Sequence, residues 1–116
     1  MERELKKNRA LWELFETIAE LANGQECARF FRDLCTITEL EAMAERWQVA
    51  RMVAQEIPYR QISRHTGAST ATVTRVAQWL HHGEGGYRAA LEALATQQSR
   101  DCKGAAPKKA GTKEPK

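Results

Sequence analysis

Between Thr66 and Arg75 the chain reads TGASTATVTR, and Arg60 and Arg64 stand just upstream. Thr66, Ser69, Thr70, Thr72 and Thr74 surround a stripe of apolar residues. Small hydroxyl and methyl groups can approach base edges in a major groove without steric conflict. Guanidinium groups add forked hydrogen bonds to guanine or to phosphate. Residues 58–82 hold Arg60, Arg64 and Arg75 and no acidic residue. That combination points to a helix surface that reads duplex DNA. Other chemistries fit less well. His65, His81 and His82 with Cys27, Cys35 and Cys102 match no usual metal spacing, and neighbouring His81 and His82 point to different faces of a helix. There is no GxSxG, HExxH or glycine-rich phosphate loop. No enzyme activity, metal or cofactor is expected.

A reading helix must be held, and the local pattern says how. Pro58 opens a short helix over residues 59–66, as first-turn prolines do. Gly67 supplies a left-handed turn, and Ser69 caps a second helix that runs to about His82. Two helices joined through a glycine form a helix-turn-helix. Ile62 and Thr66 face inward from the first helix, and Ser63 is small where the two must cross. Val73, Val76, Ala77 and Leu80, at i, i+3, i+4 and i+7, give the second helix its buried face. Thr70, Ala71, Thr74, Arg75 and Gln78 are left outward.

The remainder is helical by pattern. Leu11, Phe15, Ile18 and Ala22 mark one face of a helix over residues 5–22, stopped by Asn23-Gly24. Cys27, Phe30, Phe31 and Leu34 mark a second, in which the cysteines read as small buried hydrophobes. Thr38 with Glu41, or Thr36 with Glu39, has capping-box spacing and opens a third. Leu40, Met43, Ala44, Trp47, Ala50, Ala54 and Ile57 stripe that helix, and Val49, Met52 and Val53 widen the stripe, so it packs on more than one side. Residues 82–86 form a loop, and residues 87–96 a final short helix.

The 116 residues divide into a helical domain over 1–96, with the helix-turn-helix at about 58–82, and a disordered basic tail over 97–116. Residues 1–57 carry 8 Lys/Arg against 11 Asp/Glu, while the tail carries 6 against 2, so positive charge gathers on the hairpin and the tail. The tail either adds general phosphate contacts or simply solubilises the chain. An odd number of cysteines without a CxxC pair suits a reducing compartment. With no signal peptide and no apolar run of membrane-spanning length, the expected place is the cytoplasm, away from any membrane.

Gly67–Arg75, GASTATVTR, resembles the helix-turn-helix of the Trp repressor superfamily, whose founding member docks on DNA by this geometry. Residues 36–46, TITELEAMAER, resemble the start of that family's long central helix. Trp47 with Ala50 and the run HHGEGGY over 81–87 are similar to the small TrpR-like regulators of the YerC/YecD group. The resemblance spans about residues 5–92. It implies an all-α, multi-helix, intertwined homodimer that sets two reading helices in successive major grooves. Carried over by position, Thr70, Ala71, Thr72 and Thr74 take base-facing and backbone positions, and Arg60 takes that of a base-contacting arginine. Ser63 stands where the repressor has a lysine; Arg64 and Ser69 complete the expected DNA-binding set.

The resemblance also implies a position for an effector, at Thr36, Arg46 and Arg75. Two departures argue against tryptophan there: Val76 replaces a glycine and Trp79 a serine, adding bulk and losing a hydroxyl. Trp79 either fills the slot itself, stacked on Arg75 and Arg46, or fills a core or dimer interface. The expectation is a dimeric, sequence-specific DNA-binding regulator, a repressor that needs no tryptophan. The competing readings are a helical protein-interaction module and a sensor gated by another small molecule.

Overall fold

The computed structural model describes residues 7–104, with side chains through residue 97. Six helices make up the described residues: α1 (Arg9–Ala19), α2 (Gly24–Leu34), α3 (Ile37–Ala54), α4 (Tyr59–Thr66), α5 (Thr70–His82) and α6 (Gly86–Gly104). They fall into two compact units, residues 1–43 and 44–116, and α3 runs from the first into the second. No described helix is long and apolar enough to cross a membrane.

In the first unit, α1 begins at Asn8, whose side chain accepts a hydrogen bond from the Leu11 N–H at 3.0 Å. The helix stops at Ala19, three residues short of the expected end, and its expected start at residue 5 lies outside the described residues. Asn23-Gly24 is not its stop signal. Asn23 is extended (φ −157°, ψ 178°) and starts α2 instead, accepting from the Glu26 N–H at 2.9 Å. Glu26 reaches back to accept from the Ala22 N–H at 2.9 Å. Asn serves at either end of a helix, and the acid three residues on decides which. Of the two candidate capping boxes, Thr36 with Glu39 opens α3: Thr36 Oγ1 accepts from the Glu39 N–H at 3.1 Å and Glu39 Oε1 from the Thr36 N–H at 2.7 Å.

No residue of α1 or α2 is buried in the chain. Cys27 and Cys35 are half-buried free thiols rather than enclosed ones, while Cys102 lies beyond the described side chains. Trp12, Phe15, Leu34, Ile37 and Met43 remain exposed. Trp12 and Phe15 meet edge to face at 6.2 Å, as do Phe30 and Phe31 at 5.7 Å.

The second unit holds the core: Val49, Ala50 and Val53 of α3, Ile62 of α4, Ala68 of the turn, and Val73, Val76, Ala77 and Leu80 of α5. Trp47, Met52, Ile57, Tyr87 and Leu91 pack around it. Trp47 stacks on Tyr87 at 6.3 Å and 14°, joining α6 to α3. Among the described residues no polar or charged side chain is buried. α6 continues to Gly104, past the expected end at residue 96. Residues 97–104 are poor in large apolar residues, but good helix formers such as Gln97, Gln98 and Arg100 do not oppose a helix. The last part of the expected tail, residues 105–116, lies outside the described residues.

α3 ends in a Schellman motif. The Ile57 N–H donates to the Met52 carbonyl at 3.2 Å and the Glu56 N–H to the Val53 carbonyl at 2.9 Å. Ile57 and Met52 both pack on the core beneath it. Glu56 occupies the left-handed position at φ 63°, where a side chain costs free energy that glycine does not. Glu56→Gly should therefore raise stability by about 0.5–1 kcal/mol. An upward shift of the urea midpoint with unchanged slope is the expected result.

Candidate nucleic-acid interface

The hairpin α4–α5 takes the shape its sequence prescribes. Pro58 precedes α4, Gly67 turns at φ 84°, and Ser69 caps α5. Ile62 is fully enclosed, as are Val73, Val76, Ala77 and Leu80 to within a few per cent. The turn is tied by hydroxyls. Ser63 Oγ, on α4, donates to the Ala68 carbonyl in the turn. Thr66 Oγ1 donates to the Ile62 carbonyl at 2.8 Å and accepts from the Ala68 N–H at 3.1 Å. Ser69 Oγ accepts from the Thr72 N–H at 3.1 Å and donates to Thr72 Oγ1 at 3.0 Å.

The expected DNA-binding residues thus separate by environment. Thr70, Ala71 and Thr74 are exposed on one side of α5, and Arg60 and Arg64 are exposed one turn apart on α4. Ser63 and Thr72 are half-buried, and Ser63, Ser69 and Thr72 all have hydroxyls engaged in holding the hairpin. At α5's 100° per residue, Gln78 lies in the middle of the exposed face, between Thr74 and His82.

The structure adds partners that linear reading missed. Ala68 is buried in the core. Glu45 of α3 brings a carboxylate to the turn, its Oε2 3.9 Å from where a Cβ on Gly67 would stand. Arg88 of α6 clamps the far end of α5: Nε donates to the Leu80 carbonyl at 3.0 Å and Nη2 to the His81 carbonyl at 3.3 Å. A cation suits those terminal carbonyls. A basic residue soon after a helix end was the available signal for Arg88; Glu45 offers none, being 22 residues from Gly67 in the chain. Gly83 is a glycine by close approach, since a Cβ there would lie 2.4 Å from the Trp79 carbonyl oxygen and 3.1 Å from the indole.

The expected effector residues stand in different local environments. Thr36 is occupied by the α3 capping box. Arg46 is exposed on α3. Val76 turns into the core at 2 % exposure. Arg75 and Trp79 do share a shallow groove on α5, with Gln78 and His82. Trp79 is 50 % exposed there, so it fills no core within the chain. The ring pairs of the described residues are Trp12–Phe15, Phe30–Phe31, Trp47–Tyr87 and His81–His82, and none includes Trp79.

Ser63→Ala should cost about 1 kcal/mol by leaving the Ala68 carbonyl short of its donor, whereas Thr70→Ala should leave stability nearly unchanged. Thermal unfolding of the two variants side by side checks the separation; equal losses would refute it.

Comparison with known proteins places this geometry. The family model for Trp repressor protein matches residues 9–95. The uncharacterized protein YerC of Bacillus subtilis is 44% identical over 86 residues, covering 74% of this chain and 83% of its own. A crystal structure of a TrpR-like protein from Eubacterium eligens superposes with a TM-score of 0.75 at 39% identity, covering 80% of this chain and 95% of that one. A candidate Trp repressor from Staphylococcus aureus gives a TM-score of 0.75 at 41% identity over 82% and 95%.

Proposed function

The chain belongs to the Trp repressor family, and from that footing we propose that it is a sequence-specific DNA-binding transcriptional regulator, acting as a homodimer and repressing by occupying an operator. The observation that carries this reading is the exposed first half of α5. Thr70, Ala71 and Thr74 present small hydroxyl and methyl groups on a helix whose opposite face is fully packed. Arg60 and Arg64 flank them from α4. A rigid helix carrying short side chains fits a major groove, and the arginines supply guanine or phosphate contacts.

The homodimer draws support from the first unit. Two helices without one buried residue, bearing exposed Trp12 and Phe15, leave apolar faces that a second copy would cover. Repression needs no tryptophan on this reading. Val76 closes the core side of α5, and Trp79 sets an indole beside Arg75.

Selection from random duplex DNA with purified protein should enrich a two-fold motif with half-sites about one helical turn apart. Arg60→Ala should then weaken binding to that motif by about 1–3 kcal/mol. Absence of binding at every salt concentration would transfer the hairpin to a protein partner and end the DNA reading. Titration with L-tryptophan should leave affinity for the enriched duplex unchanged. A saturable tightening would refute corepressor independence.

A further inference from the structure

The linear window 58–82 has no acid, yet the folded hairpin does not lack one. Glu45 is half-buried on α3, and its carboxylate stands beside Gly67, where the backbone turns from α4 into α5. Gly67 and Ser69 are exposed on that turn, and Thr70, the first residue of α5, follows directly. The fold therefore sets a negative charge at the seam of the surface that would meet DNA, with Arg60 and Arg64 positive on the neighbouring helix.

We infer that Glu45 is a specificity-determining residue of the DNA-binding surface, acting by repulsion: it disfavours phosphate at the turn and so weakens binding to unmatched duplex. This rests on the DNA-binding reading above. Specificity is a ratio of affinities, and an adverse charge raises it by penalising wrong poses. At a matched site, base contacts along α5 fix the helix in one register. On unmatched DNA the backbone slides freely, and general affinity comes almost wholly from phosphate contacts. A carboxylate about 7 Å from a phosphate in water-like surroundings opposes such contacts about threefold per hairpin.

The test compares the full chain with Glu45→Gln and Glu45→Asp. The probes are the duplex enriched by the wild-type protein and a scrambled duplex of equal length, titrated at several salt concentrations. Glu45→Gln should bind the scrambled duplex several-fold more tightly and the enriched duplex by a smaller factor. Its ratio of the two affinities should fall, and the difference should shrink at high salt. Glu45→Asp, keeping the charge, should restore most of the ratio. Equal ratios for Glu45→Gln and wild type, or a loss of affinity for both duplexes alike, would overturn the proposal. If the wild-type protein enriches no motif at all, the DNA-binding reading fails first, a separate outcome from failure of the Glu45 role.

Discussion

The hairpin depends on the burial of Ile62. α4 has eight residues, well under the length at which a helix persists alone in water. It holds because Ile62 is enclosed, Gly67 closes the end in a left-handed turn, and Ser63 reaches the Ala68 carbonyl. Ala68 is itself buried, so the turn belongs to the core as well as to the surface. The direction in which α5 presents Thr70, Ala71 and Thr74 follows from that packing.

This part of the fold was legible because its signals are short-range. A glycine, a capping serine and apolar residues at helical spacing fix the ends of α4 and α5 and the buried face of α5 within a few residues of each other. Legibility failed where a residue type serves two purposes. Asn23 could end one helix or start another, and the polar run beyond residue 96 could be helix or coil. It failed differently for the hydroxyls. Ser69 reads as a cap from its position alone, but Ser63 and Thr72 fall into the expected DNA-binding set with Thr70 and Thr74, because only three-dimensional placement shows which other oxygens the turn already uses. Glu45 was beyond reach for another reason: it approaches the turn from a different helix, 22 residues away in the chain.

The two units express amphipathy in different ways. In the second, apolar spacing coincides with burial, and Val73, Val76, Ala77 and Leu80 disappear from the surface together. In the first, the same spacing leaves aromatic residues exposed and encloses nothing. Hydrophobic pattern records what a chain buries in its working state, including surface covered by other molecules. For a member of this family, a pattern in excess of what one chain can bury agrees with the proposed homodimer.

The clamp at the C-terminal end of α5 sets the mechanics of its other end. Arg88 grips the carbonyls of Leu80 and His81, while Gly83 lets the chain pass tightly against Trp79. The thirteen residues of α5 make a rod about 20 Å long. Pivoting that rod by about 5° at the clamp would swing its Thr70 tip through about 1.7 Å, more than half a hydrogen-bond length. Val73 and Val76, buried along the rod, resist such a pivot, so clamp and core together fix where Thr70 stands.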